Sequence, residues 1–269
     1  MARGRSPHDQ PRLLRGAAAF VQLAVVFAAA GRGREWKVLV TAVAGLVGAA
    51  AWAQWVEGSA RLRRPFGFYG GLVGVGLSCL FFEERWTLLA AHCLGAPWMQ
   101  ALGRLRCLVN GCCHGGPAGP AIGIRVNHAQ SRVTRLAALQ GVPIHPTQLY
   151  SILSNILVGL LLARLWVSGC PLSLVSGIYA IGNGVARFIE EAYRGEPQTP
   201  VVGGLRLYQW LAVGTVILGA TLTTFSSPSP PALKLSPADL AWAAGFACLV
   251  AAAMGVDWPE SHRPLARLT

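Results

Sequence analysis

Eight mostly apolar stretches, each close to the length of a bilayer-crossing helix, dominate this chain: 16–31, 38–56, 66–82, 86–102, 147–167, 172–193, 205–225 and 238–256. A hydrocarbon core about 30 Å thick needs roughly 20 such residues in a helix, which alone satisfies its own backbone there. Composition agrees: 53% of residues are hydrophobic and only 13% charged, against about 25% charged in a soluble domain. The expected class is therefore all-α, a polytopic transmembrane bundle of about seven or eight helices. Residues 1–225 are expected to form the membrane-embedded domain, with a small polar insert at 103–145 between helices 4 and 5. A Pro/Ser linker at 226–237 and a C-terminal apolar segment with a tail, 238–269, complete the chain.

The formal charge is +12. The basic residues lie scattered between apolar runs, which fits topology signals and anionic headgroups and argues against a nucleic-acid face. Arg3, Arg5, Arg12 and Arg15 before a short apolar run resemble a signal peptide. The many later segments favour a retained first membrane helix. Basic residues in loops of both parities leave the orientation open.

One stretch breaks the apolar rule. Residues 103–115 read Gly-Arg-Leu-Arg-Cys-Leu-Val-Asn-Gly-Cys-Cys-His-Gly. Ionisable groups at the edge of a membrane helix are costly and need a partner or a task. Further along, Arg187 and Glu191 stand four residues apart on an expected helix, and Arg194 follows three later, so an Arg–Glu–Arg ladder on one face is expected. Its surplus positive charge suits a phosphate; the plainer reading is a snorkelling pair at the membrane surface. Arg104 and Arg106 add charge from another helix. Cys107, Cys112, Cys113 and His114 fit poorly with zinc knuckles by spacing, so no metal and no cofactor is expected. They read more simply as small residues in a tight turn. The glycines near residue 70 read as helix packing at least as well as site residues.

Four ordered stretches together resemble the prolipoprotein diacylglyceryl transferase family: Phe-Tyr-Gly-Gly at 68–71, Gly-Arg…Asn-Gly…Gly at 103–115, His-Pro-Thr-Gln-Leu-Tyr at 145–150 and Arg…Glu…Arg at 187–194. Tyr208-Gln209-Trp210 is similar to its closing segment. The resemblance implies a membrane enzyme that moves a diacylglyceryl group from phosphatidylglycerol to the lipobox cysteine thiol of prolipoproteins in the bacterial cytoplasmic membrane. It implies catalytic roles for Tyr69, Arg104, His145, Arg187 and Glu191, with Arg104 and Arg187 clamping the phosphate and Glu191 orienting Arg187. It implies substrate contacts for Gly70, Gly71, Asn110, Gly115, Gln148, Tyr150 and Arg194, the glycines by close lipid approach.

The chain departs from the pattern at Tyr69, where the family commonly has histidine, and at Cys107 and Cys112, where its best-known members have Asn and Glu. Those departures keep two other readings open. One is a relative that moves a lipid-derived group to a different acceptor. The other is a non-catalytic lipid-binding or thiol/metal membrane protein.

Overall fold

The computed structural model describes residues 10–55, 67–129, 131–135, 137–195 and 200–253. The expected roles of Arg3 and Arg5, and the tail after 253, fall outside them. In chain order the helices are α1 (Gln10–Ala30), α2 (Glu35–Trp55), α3 (Phe68–Cys79), α4 (Arg85–Asn110), the short α5 (Arg132–Arg135), α6 (Thr147–Val167), α7 (Leu172–Ala192), α8 (Leu207–Thr223) and α9 (Pro237–Ala253). Strand β1 (Ile124–Arg125) pairs antiparallel with β2 (Pro143–Ile144), and β3 (Val201–Val202) with β4 (Leu205–Arg206). The all-α expectation holds, and each of the eight apolar stretches lies on one of the eight longer helices.

Within α1 the span Leu13–Ala30, and the whole of α2, α6 and α7, are long and apolar enough to cross a membrane. Helices α3, α8 and α9 are apolar but shorter. The outward rows confirm the solvent. Val40, Val43 and Val47 on α2, and Leu153, Leu157, Leu160 and Leu161 on α6, are exposed at helical spacing. Rows of this kind would drive aggregation in water and are solvated in lipid. Exposed Trp36 and Trp55 sit at opposite ends of α2, about 28 Å apart at 1.5 Å per residue, as interfacial anchors do. The molecule is a membrane protein.

Close helix contacts use small residues. On α2 and α3, a Cβ on Gly48 would meet the Gly70 carbonyl, and one on Gly74 the Ala44 carbonyl. On α7 and α8, Gly177 and Gly219 face each other's carbonyl oxygens at 2.6 and 2.7 Å from the position of an added Cβ. The buried core lies between α1, α4, α6 and α7, around Leu23, Phe27, Leu88, Leu94, Leu162 and Val175. Polar contacts join the same helices. Asn183 Nδ2 donates to Gln100 Oε1 at 2.7 Å, and Gln100 Nε2 to the Tyr179 hydroxyl at 2.7 Å. His92 is a packed helix residue, with Nε2 at 2.8 Å from Thr41 Oγ1.

Two boundaries differ from the sequence reading. Helix α4 runs on to Asn110, so the insert starts at Gly111 and not at 103. The charged residues at 104 and 106 do not end it, because both side chains are taken up by the fold: Arg104 is paired across to α7 and Arg106 is buried. The insert contains the short strand Ile124–Arg125. It is stitched to the end of α7, with Gly116 N donating to Tyr193 O at 3.0 Å and Gly195 N to His114 O at 3.0 Å. The β3–β4 hairpin was not expected. Gly203 and Gly204, at φ 57° and 82°, supply the two left-handed residues of its turn.

The stretch 226–236 has no helix or strand and lies against the bundle. Trp166 Nε1 donates to Pro231 O at 3.0 Å, and Lys234 N to Ala28 O at 3.1 Å. Helix α9 packs its buried Ala247 and Val250 against Ala19 of α1.

Candidate active site

A cavity of about 410 Å³ runs through the bundle between two kinds of wall. Leu23, Leu46, Leu72, Val75 and Phe246 line its apolar side. Arg104, Arg187, Arg194, Cys107, Cys112 and Cys113 line its polar side. Such a volume and mixed lining suit a small-ligand site, here with room for a lipid headgroup and a length of acyl chain.

The arginines are held by two buried carboxylates on α7. Arg104 Nη2 lies 2.7 and 2.9 Å from the two Glu190 oxygens, and its Nε donates to Ser151 Oγ at 3.0 Å. Arg187 Nη1 is 3.0 Å from Glu190 Oε2, and Arg194 Nη2 is 3.5 Å from Glu190 Oε1. Glu191 instead takes Arg194 Nη1 at 3.0 Å and Arg206 Nη1 at 3.5 Å. The expected Arg187–Glu191 pair is therefore corrected: Glu190 orients Arg187, and Glu191 faces the other way, toward the β3–β4 hairpin. Positions three and four along a helix both share a face, and Arg104 arriving from α4 selects the first.

Four guanidinium groups thus surround two carboxylates, a surplus of two positive charges in a buried setting. Arg104 Nη1 has no protein partner among the described residues.

Tyr69 is buried, and its hydroxyl donates to the Tyr208 carbonyl at 3.1 Å with Arg187 beside it. The Arg187 guanidinium also lies over the Phe68 ring, 5.4 Å from its centre. Gly71 lines the cavity as expected. Gly70 does not: an added Cβ there would meet Gly48 and Trp52 of α2, so its role is helix packing. Gly115 likewise packs on the backbone of His145, to whose carbonyl its N–H donates at 3.1 Å.

The His-Pro-Thr-Gln-Leu-Tyr stretch acts beside the cavity rather than on its wall. Gln148 Nε2 donates to Cys112 O at 2.8 Å and Thr147 Oγ1 to Cys113 O at 2.7 Å. His145 Nδ1 lies 3.2 Å from the Tyr150 hydroxyl, and its ring packs at a tilt against Tyr193 with centres 4.6 Å apart. His145, Gln148 and Tyr150 do not line the cavity. Asn110 ends α4, and its side chain is outside the described residues.

The residues that sequence reasoning missed are Glu190, Arg206, Ser151 and Thr147. Glu190 was visible as the neighbour of Glu191 and Thr147 as part of the His-Pro-Thr-Gln-Leu-Tyr stretch; Arg206 and Ser151 carried no signal. The cysteines also gather more tightly than their spacing implied, with the three Sγ atoms of Cys107, Cys112 and Cys113 all within 4.8 Å of one another. The Cys107 and Cys112 thiols donate to Cys113 and, with Arg194 and Arg104 nearby, hold its thiol well below the ordinary range.

Fold and site together define a helical membrane protein whose bundle encloses a cavity with one apolar wall and one wall carrying an arginine cluster. The sequence model of the prolipoprotein diacylglyceryl transferase family matches residues 15–225, and the chain belongs to that family of transferases. Relatives include phosphatidylglycerol–prolipoprotein diacylglyceryl transferase 2 of Clostridium perfringens, 29% identical over 68% of this chain and 75% of the relative. The enzyme of Clostridium tetani is 30% identical over 59% of this chain and 63% of its own length. That of Methylibium petroleiphilum is 35% identical over 58% of this chain and 59% of its own length. The match thus spans less than two thirds of the last two.

Proposed function

We propose that this protein transfers the diacylglyceryl group of phosphatidylglycerol to the lipobox cysteine thiol of prolipoproteins, as a multi-pass protein of the bacterial cytoplasmic membrane. The observation that carries the reading is the convergence of Arg104 and Arg187, from two helices, on one Glu190 at the polar end of an apolar cavity.

The geometry suits the chemistry. The lipid enters with its chains along the apolar wall and its phosphodiester against the arginines. Carbon–sulfur bond formation breaks the ester bond to phosphate, and glycerol phosphate leaves with the electron pair. Fixed guanidinium groups in a water-poor site stabilise that leaving charge more than they stabilise the ground state. Glu190 holds Arg104 and Arg187 at the cavity without neutralising the cluster. The Tyr69 hydroxyl, spent on the Tyr208 carbonyl, fixes the α3–α8 contact beside Arg187.

The reading is tested by complementation of a bacterial strain depleted of its own transferase. Growth with the wild-type chain, lost with Arg187→Ala at equal membrane level, is the expected result. No growth from a chain present in the membrane sinks it. The thiol-lined wall favours one second reading, transfer to a different acceptor; it predicts lipid turnover without rescue of growth.

A further inference from the structure

Cys107, Cys112 and Cys113 are the least explained part of the cavity wall. They form no disulfide, and their sulfurs converge from residues five and six positions apart. Convergence depends on the end of α4. Cys107 sits near the last full turn of the helix, and Gly111, at φ 69°, closes it in the left-handed region. Cys113 follows at φ 56°, a conformation that is strained for a non-glycine residue. Such a conformation persists only where the surroundings impose it. Here the hydrogen bonds from Gln148 and Thr147 to the Cys112 and Cys113 carbonyls do so. The loop is thus held in the shape that brings three sulfurs to one point.

That point has the chemistry of a soft cation site. Thiolates select zinc and related metals, and a zinc–sulfur bond of about 2.3 Å places three tetrahedral ligands about 3.8 Å apart. Sulfurs within 4.8 Å reach that spacing by rotamer-scale movement. Three thiolates around a divalent ion carry one net negative charge, and Arg104 and Arg194 lie beside Cys113 to balance it. All three cysteines line the cavity, so a fourth position faces the space where substrate would sit. The His114 ring does not join them; its Nδ1 lies 2.9 Å from the Gly115 carbonyl.

The transfer reaction also has a need that this site meets. The acceptor must react as a thiolate, yet the Tyr69 hydroxyl is already donated to a carbonyl and His145 is off the cavity wall. We propose that Cys107, Cys112 and Cys113 bind one zinc ion whose open fourth position takes the acceptor cysteine as a thiolate, a reading that rests on the transferase function above. Coordination of sulfur to zinc removes the thiol proton outright. The zinc-held sulfur attacks the glyceryl carbon, the carbon–sulfur bond forms, and the carbon–oxygen bond to phosphate breaks. The electron pair leaves with glycerol phosphate as its dianion, and the thiol proton, displaced when the sulfur binds zinc, has already gone to solvent. The metal changes neither charge nor oxidation state.

The test uses the full chain, purified in reducing buffer, stripped by chelator and titrated with cobalt(II) as a spectroscopic stand-in. One cobalt per chain, with thiolate-to-metal charge transfer and tetrahedral visible bands, is expected. Cys112→Ser and Cys113→Ser lose the bands, whereas Cys248→Ser, on exposed α9, keeps them. A lipobox peptide then shifts the visible bands and its Cys→Ser version does not. No stoichiometric cobalt, or bands that survive both loop variants, overturns the site. Bands indifferent to the peptide overturn the open position. Diacylglyceryl transfer to the peptide is measured on the same preparations. Transfer undiminished in chelated, metal-free protein overturns the zinc proposal and leaves the transferase reading standing. Metal binding without any transfer keeps the site and overturns that reading.

Discussion

Arg104 on α4 and Glu190 on α7 meet at 2.7 Å inside the bundle, and the same carboxylate also holds Arg187 and Arg194. One side chain thereby fixes three cations from two helices and the turn after α7. Removing it leaves three guanidinium groups to repel one another in a buried setting.

Glu190→Gln is accordingly the most disruptive single change at the site. Breaking a buried ion pair from one side costs about 3–5 kcal/mol. Thermal unfolding in detergent should show a large loss of stability, with transfer activity lost alongside. A variant as stable as the parent sinks the role given to Glu190.

Arg187→Lys should fail almost as fully as Arg187→Ala. A lysine offers a point charge where the site uses a planar fork, shared between Glu190, the Tyr69 hydroxyl and the Phe68 face. Loss of one such stabilising group lowers kcat by about 10²–10³. Steady-state transfer to a lipobox peptide checks this, with the unfolding midpoint measured in parallel.

Gly70 and Gly71 are neighbours with opposite expectations. An added methyl at Gly70 strikes the α2 backbone, whereas at Gly71 its nearest neighbours are at 3.7 and 3.8 Å. Gly70→Ala should destabilise the fold by about 1–3 kcal/mol, and Gly71→Ala should leave stability unchanged. Equal unfolding midpoints for the two variants would contradict the packing role of Gly70.

Thr147→Val and Gln148→Leu each leave a cysteine carbonyl of the loop without its donor. A lost buried partner costs about 1–3 kcal/mol. Faster amide hydrogen exchange across 111–116, measured by mass spectrometry, is the expected signature. Exchange unchanged from wild type counts against the pinning.

At the other end of the bundle, Lys37 Nζ lies 2.7 Å from Glu84 Oε2 in the turn before α4. The hydrogen bond from Lys37 holds the Glu84 carboxyl below the ordinary carboxylate range. A depressed folded value means the stabilisation is complete above the unfolded carboxylate pKa of about 4.3. It is lost as pH falls through the folded value. Glu84→Gln should flatten that acid limb of the stability profile, and an unchanged slope removes Glu84 from it.

How much of this was legible depended on how local the physics is. A helix in lipid satisfies its backbone within its own segment, so α1, α2, α6 and α7 could be read from runs of apolar residues. The far half of α4 could not. Arg104 and Arg106 look like the end of a helix until Glu190 and Ser151 are known to receive Arg104.

The sequence by itself determined the membrane class and the helix order, because length and hydropathy are properties of each segment alone. Only the tertiary structure decided the partners of the site residues. It chose Glu190 over Glu191 for Arg187, because helical spacing allows both and a cation from α4 decides. It turned Gly70 toward α2 and left Gly71 to the cavity. It also drew Cys107, Cys112 and Cys113 together, because two left-handed residues and two hydrogen bonds from a helix 34 and 36 residues further on fold that loop back on itself.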